Sequence, residues 1–271
     1  MKADLHCHST ASDGTLSPVE LIHLAKKENF WGLSITDHDT MNAYETALPA
    51  AQELDIHLGT GIEFSCWQAG SSIHILGYDY LLTDPALKDL CDRHQKRRQD
   101  RNHTILDKLA KLGFLVDEKE LLKLSDKKSV GRPHIAELLL AKGYVRSIQE
   151  AFSKYLGDGK SCYAPGVPFS ISETIAIIHE AQGKAFIAHP HLLPKKASLS
   201  DLLKLPFDGI ECFYSRFSQK DAEPWLKIAK EKNWLISGGS DFHGSIKPEI
   251  TLGSSYIGQE EFERIFENPL N

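Results

Sequence analysis

Near its start the chain carries DLHCHSTASDGT, residues 4–15. Successive side chains of a strand point to opposite faces, so His6 and His8 share one face while Cys7 takes the other. Two imidazoles facing the same way, with Asp13 five residues further on, are the beginning of a cation site. Metal ligation needs three or four converging groups, however, and a lone His-x-His is more often structural. The remaining ligands have to come from elsewhere in the chain.

Thirteen histidines are present, and seven of them (His6, His8, His38, His74, His189, His191 and His243) fall within or just after segments that read as strands. Asp13, Asp37, Glu63 and Asp241 fall there too. In a β/α barrel the C-terminal strand ends converge on one cavity, so scattered positions become one site. One zinc or manganese ion takes three or four protein groups, and two ions sharing a carboxylate leave part of this set unused; three ions fit the inventory better. Imidazole and carboxylate without thiolate suit zinc, manganese or iron alike.

The elements that must position these groups are legible as a rhythm. KADLH reads as a strand, 17–29 as a helix with Ser17 as cap and Pro18 in its first turn, and WGLSITDHD as the next strand. A helix over 40–54 and strands in HLGTGIEFSC and SIHILGYDY follow. This repeated βα winding favours a parallel sheet or barrel. From Thr83 to about Gly159 the texture is helical and charged, without a strand-like run, which predicts an inserted helical subdomain (83–159) between two parts of the barrel (1–82 and 160–271). The βα rhythm then resumes through KAFIAHP, DGIECFYS and WLISGGSDFH, and closes with GSSYIG and a short helix.

A length of 271 residues with 41% hydrophobic and 25% charged content is enough for one large α/β domain with a full core. The formal net charge of -6 argues against a general affinity for nucleic acid, so any nucleotide contact has to come from a local basic patch. Five scattered cysteines with no C-x-x-C pair suggest neither a disulfide framework nor a thiolate zinc knuckle, and point to a reducing cytoplasm. Neither an export signal nor a membrane span is seen. No phosphate loop of the G-x-x-x-x-G-K-[ST] type and no serine nucleophile elbow is present.

DLHCHSTASDGT, ITDHDT, GIEFS, HILGY, IAHPH and GGSDFH stand in the order of the PHP (polymerase and histidinol phosphatase) family of metal-dependent phosphoesterases, which the chain resembles over nearly its whole length. That resemblance implies a distorted seven-stranded, TIM-like β/α barrel with a trinuclear centre. Carried over motif by motif, it implies His6, His8, Glu63 and Asp241 at one ion, Glu63 bridging to a second ion held also by His74 and His189, and Asp13, His38 and His243 at the third. Asp13 stands where some relatives carry histidine, which shifts the expected metal toward manganese or iron. VGRPHIAELL and RHQKRRQDRNHTILDKLAKLG resemble the subgroup acting on nucleotides: nucleoside 3',5'-bisphosphate phosphatases and 5'-to-3' exoribonucleases. The expected substrate is a small nucleotide or short RNA and not duplex DNA.

Phosphate ester hydrolysis needs a nucleophile and neutralisation of the transferring phosphoryl group, and a metal cluster supplies both. The expectation is a hydroxide bridging two ions, with the third ion and Arg132 holding the non-bridging oxygens. His191 is the expected general acid, with His134 as competitor. Asp37 is expected to orient a ligand imidazole. Arg93, Arg97 and Arg101 recur every fourth residue on one helix face, usually a solvated one; if the insertion covers the barrel mouth, Arg101 and Asn102 would reach a second phosphate or nucleotide, and His134 would join Arg132 at the substrate. The competing expectations are a histidinol-phosphate or sugar-phosphate phosphatase on the same barrel, a C–N hydrolase, for which no lysine stands in the motifs quoted, and a non-catalytic module in which metals only stabilise the fold.

Overall fold

The computed structural model describes residues 1–68, 70–124, 130–193, 198–267 and 270. Their elements in chain order are β1 Lys2–Cys7, α1 Pro18–Lys27, β2 Gly32–Ile35, α2 Tyr44–Leu54, β3 His57–Gln68, β4 Ser71–Tyr78, α3 Pro85–Lys111, α4 Glu118–Leu124, α5 Arg132–Ala141, α6 Ile148–Ala151, α7 Ile171–Glu180, β5 Lys184–Ile187, α8 Leu199–Leu202, β6 Gly209–Tyr214, α9 Gln219–Lys232, β7 Leu235–Gly239, β8 Ile257–Gly258 and α10 Gln259–Ile265. Eight strands form one sheet in the order β7-β6-β5-β4-β3-β2-β1-β8, the eighth only two residues long.

Local chemistry explains the element ends. Ser17 and Glu20 cap each other's backbone at the start of α1, with Pro18 at its first turn, and the helix stops short of Asn29, which takes a left-handed φ of 58°. α2 begins at Tyr44 and not at Thr40, because Asp39 turns left-handed (φ 57°) and 40–43 form a turn in which Thr40 accepts from the Asn42 backbone.

The sheet is not wholly parallel. β3 and β4 are antiparallel, with Gln68 opposite Ser71, and β4 and β5 are antiparallel as well. The cause is the length of the β3–β4 connection, two residues, which reverses the chain but is far too short for a crossover. β1, β2 and β3 pair in parallel, as do β5, β6 and β7.

The two ends of the sheet meet between β1 and the exit of β7. The Asp241 N–H donates to the His6 carbonyl (2.7 Å) and the His8 N–H to the Phe242 carbonyl (2.9 Å). A Cβ on Gly239 would stand 2.3 Å from the His6 nitrogen, so only glycine permits this approach. Buried Asp4 accepts from the backbone of His6, Ser240 and Gly253, bolting the seam; burial nevertheless pushes its carboxyl up to about 6. Leu33 and Ile35 pack outward with Leu21 and Ile22 of α1, whereas Leu76 and Phe186, on the face that also carries Glu63 and Glu211, pack inside the barrel with Leu5 and with Phe262 of α10.

Between β4 and β5 the described residues contain helices and no strand. α3 to α6 carry their own apolar cluster, including Ile105, Leu109, Ile135, Leu139 and Leu156, and end in a single π-turn over Phe152–Leu156.

Candidate metal centre and its cavity

The inward positions at the strand ends all point to one place. β1 presents His6 and, just past its end, His8; β3 presents Glu63 and β4 His74; His38, His189 and Asp241 leave β2, β5 and β7. Eight of the expected ligands form three converging sets whose ligand atoms lie within 4.8 Å of one another: His6, His8, Glu63 and Asp241; His8, Asp13, His38 and His243; and His38, Glu63 and His74. His189 stands outside these sets, with Nε2 2.9 Å from the Glu63 Oε1 that His74 Nδ1 also reaches at 2.6 Å. The second set expected from the sequence thus has His38 in the place of His189.

The first set fits a divalent ion closely. Four ligands about 2.0–2.1 Å from a tetrahedral ion stand about 3.3–3.4 Å from each other. Here His6 Nε2 lies 3.3 Å from Glu63 Oε2 and 3.6 Å from Asp241 Oδ1, and His8 Nε2 lies 3.1 and 3.4 Å from the same two atoms. Although so near carboxylate oxygens, both nitrogens of His8 and Nδ1 of His38 are buried without a hydrogen-bond partner. Buried ring nitrogens that meet carboxylate oxygens around a common point without hydrogen-bonding to them are what coordination of a cation requires.

Neighbours set the imidazole tautomers. His6 Nδ1 donates to Glu211 Oε1 (2.9 Å), which leaves Nε2 as the electron-pair donor toward Glu63 and Asp241. His243 Nδ1 donates to the Asp241 carbonyl (2.8 Å), leaving Nε2 3.4 Å from Asp13 Oδ1. Glu211 also accepts the His189 N–H (2.6 Å), and so holds two of the site's histidines at once. The outer oxygen of Asp241 accepts from Tyr214 (2.8 Å) and Lys247 (2.7 Å), which turns its Oδ1 inward.

The charge balance calls for cations. Burial works to raise the pKa of Asp13, Glu63 and Asp241, yet the surrounding imidazoles, and Lys247 at Asp241, hold all three well below the usual carboxylate range. Burial disfavours charge on His8, but Asp241, Glu63 and Asp13 outweigh it and lift its imidazole to about 9. At His38 burial wins and pushes the imidazole down to about 3. Divalent ions would replace the proton that the neighbouring carboxylates otherwise hold on His8.

Asp37 does not touch an imidazole. It accepts from Ser9 N–H (2.8 Å) and from the hydroxyls of Ser9 and Ser12, so its role is to fold the loop that carries Asp13. This corrects the expectation that it orients a ligand ring.

A cavity of about 140 Å³ adjoins the centre at Asp13 and His38 and is lined on its far side by Arg97, Arg98, Arg101 and Arg132. The arginine row on α3 is therefore not a solvated face. Only Arg93 lies outside, paired with Asp89 and Glu173, while Arg97 and Arg98 are buried against Asp39. Arg98 Nε reaches Asp39 Oδ2 at 2.6 Å, Arg97 donates to the Ser65 carbonyl (2.9 Å), and His94 Nδ1 lies 3.0 Å from Asp39 Oδ1. Arg132 donates to the Leu156 carbonyl and to Asp158 (2.7 Å). Arg101 makes no hydrogen bond or ion pair among the described residues, and its Nε is buried and unpartnered. Burial, with Arg98, Arg132 and Arg97 close by, pushes its pKa well below the usual arginine value.

Three other expected substrate or catalytic residues are placed differently. Asn102 is buried, donates to the Val130 carbonyl (3.0 Å) and does not line the cavity. His134 is buried at the start of α5, where its Nδ1 accepts the Gly131 N–H (3.1 Å), leaving its proton on Nε2. His191 lies apart from the cavity in an aromatic nest, stacked 4.5 Å from Phe217 and edge-on to Trp225, with both nitrogens unpartnered.

The residues that sequence reasoning missed are Asp4, Asp39, Glu211, Arg98, Tyr214 and Lys247. Glu211 had a signal, a carboxylate inside the otherwise apolar strand DGIECFYS.

A family model described as PHP domain matches residues 4–158. The chain belongs to the PHP family. It is 37% identical over 247 residues to a 5'-3' exoribonuclease of Haemophilus influenzae, covering 89% of this chain and 90% of that protein. It is 30% identical over 246 residues to a 3',5'-nucleoside bisphosphate phosphatase of Chromobacterium violaceum, covering 89% and 86%. Among solved structures, a proposed metal-dependent phosphoesterase of Bifidobacterium adolescentis superposes with a TM-score of 0.90 at 28% identity, covering 97% of this chain and 94% of that one. The barrel is thus shared with a solved protein described as a metal-dependent phosphoesterase. No helix among the described residues is long and apolar enough to cross a membrane.

Proposed function

We propose that this PHP protein is a metal-dependent phosphoesterase that hydrolyses nucleoside 3',5'-bisphosphates or the 5' ends of short RNA. The observation that carries the substrate class is Arg101: an unpaired, largely desolvated guanidinium in a cavity that opens directly on the ligand cluster. A buried cation without an anion is costly, and a phosphate is the partner that its planar donors suit. A substrate with a second phosphate beside the scissile one would satisfy it.

We assign His6, His8, Asp13, His38, Glu63, His74, His189, Asp241 and His243 to two or three divalent ions, manganese, iron or zinc. When bound, such ions lower the pKa of water and neutralise phosphoryl charge. The chain's own groups do the rest. Glu211 keeps the His6 lone pair facing inward. Arg101 and Arg132 hold the second phosphate and so fix the distance from it to the ester being cut. Hydrolysis joins a water oxygen to phosphorus and breaks the ester P–O bond, and the leaving oxygen takes up a proton. His134, with its proton on Nε2 and within electrostatic reach of Asp13, is better placed than His191 to donate a hydrogen bond to the leaving oxygen, which takes its proton from water.

Residues 83–159 form the cover that brings the arginines to the mouth of the barrel made by 1–82 and 160–271. Five buried free thiols suit a reducing cytoplasm. Phosphate or nucleotide release by manganese-loaded protein from adenosine 3',5'-bisphosphate, AMP, histidinol phosphate and a short 5'-phosphorylated RNA, with Asp241→Ala as control, tests the assignment. Turnover of the bisphosphate or RNA is expected; turnover confined to histidinol phosphate would move the protein to the other branch.

A further inference from the structure

The centre has a second opening. A groove of about 760 Å³ runs from Asp13, His38 and His243 over α5 and the π-turn to the 245–249 segment. It shares Asp13, His38, Pro133 and Phe152 with the arginine cavity, so the two spaces meet over the ligand cluster. Their sizes differ in kind. The arginine cavity, about 140 Å³, is below the roughly 300–1,000 Å³ of a small-molecule site and takes little beyond a phosphate, whereas the groove lies within that range. Whatever places a phosphate among the arginines must extend its remaining bulk into the groove.

The lining identifies the chemistry of that bulk. Arg146, Arg216 and Lys247 line it together with Ile148, Phe152 and Ile246. Arg216 is paired with Glu249 and Lys247 with Asp241, but the exposed guanidinium of Arg146 has no hydrogen-bond or ion-pair partner among the described residues. Phe152 sits where cavity and groove meet, packed against the apolar cluster of the helices yet only partly buried, and its ring stacks on no other aromatic ring among the described residues. Cations beside a partly exposed aromatic ring are how proteins hold single-stranded nucleic acid: the charges follow the backbone and the ring takes a base.

We propose that this groove is the downstream subsite of a single-stranded oligonucleotide, with the next base against Phe152 and the phosphate beyond it at Arg146. The assignment rests on the phosphoesterase reading and extends it: the terminal phosphate enters the arginine cavity, the bond to be cut lies at the centre, and the rest of the chain leaves through the groove. The enzyme is then built for chains and accepts a free bisphosphate as the shortest of them.

The test compares kcat/KM of the metal-loaded full chain on adenosine 3',5'-bisphosphate and on 5'-phosphorylated triadenylate, for wild type and Arg146→Glu. A parallel measurement follows the anisotropy of a labelled, cleavage-resistant phosphorothioate triadenylate with metal-free protein. Arg146 is exposed, and far-UV circular dichroism checks that the Arg146→Glu protein is folded. The expected result is a loss on the trinucleotide about tenfold larger than on the bisphosphate, with a matching loss of anisotropy affinity. Equal effects on both substrates, with unchanged affinity, overturn the groove assignment and leave the phosphoesterase reading standing. If wild type hydrolyses neither substrate, that reading falls, and the anisotropy alone decides the groove: binding weakened by Arg146→Glu keeps it, and binding indifferent to it removes it.

Discussion

Replacing Glu211 by glutamine changes one atom and should disable the metal centre without touching a proposed ligand. The side chain is fully buried, with Oε1 accepting from His6 Nδ1 at 2.9 Å and Oε2 from the His189 N–H at 2.6 Å. An amide has only one acceptor oxygen. If that oxygen keeps the His189 bond, its NH₂ faces His6 Nδ1, which must then give up its proton. The proton moves to Nε2, the nitrogen aimed at Glu63 and Asp241, and blocks it as a ligand. If the oxygen keeps His6, the NH₂ opposes the His189 N–H and leaves a buried donor unpaired. Either way one imidazole loses its alignment, and loss of such a supporting partner costs about 10–100-fold in metal affinity. That range corresponds to about 1.4–2.8 kcal/mol. Competition against a fluorescent chelator reads the manganese affinity, and far-UV circular dichroism confirms the fold. A folded Glu211→Gln protein with affinity within twofold of wild type would refute the role assigned to Glu211.

Asp39→Asn leaves the buried Arg97 and Arg98 without their anion and should cost about 3–5 kcal/mol in urea unfolding; a loss under about 1 kcal/mol contradicts the network. Burial favours the neutral acid at Asp39, but Arg98 and His94 hold its pKa well below 3.8, so its contribution is complete above the unfolded-state value and is lost as pH falls through the folded-state one. The stabilities of wild type and Asp39→Asn should therefore converge in acid. Arg101→Met removes a desolvated, unpaired cation, so Tm should rise by a few degrees while KM for the bisphosphate rises tenfold or more; a fall in Tm with unchanged KM would show that Arg101 serves the fold and not the substrate. His134→Ala should lower kcat by about tenfold, the worth of one hydrogen bond to the leaving oxygen, and His191→Ala by less than about threefold; the reverse order in kcat would give that role to His191.

Much of the barrel was legible because its signals are local: a capped helix at Ser17, apolar runs of strand length, and polar groups at their ends. The arginine row shows where locality stops. A spacing of four residues tells that Arg93, Arg97 and Arg101 share a helix face, but not that Asp39, from a distant turn, reaches under that face and draws Arg97 and Arg98 into the interior. Asp37 and Asp39 flank His38 symmetrically in ITDHDT, and strand alternation would send both the same way. The left-handed turn at Asp39 breaks that alternation, leaving Asp37 to the loop of Ser9 and Ser12 and Asp39 to the helical cover. His191 was misplaced for a similar reason: after His189 the chain enters a short 3₁₀ turn, which carries the second imidazole into the aromatic nest and not onto the face of the first. The convergence of the candidate ligands was readable because strand ends, unlike loop directions, follow from the fold.

The most direct test strips the protein with a chelator, counts residual metal by mass spectrometry, and follows nucleotide release from 5'-phosphorylated triadenylate as manganese is added back, with Asp241→Ala in parallel. Stripped wild type should be inactive, its rate should rise until two or three ions are bound per chain, and the variant should stay flat at every concentration. Turnover by the stripped protein equal to that of the loaded one would contradict a phosphoesterase centre built from these histidines and carboxylates.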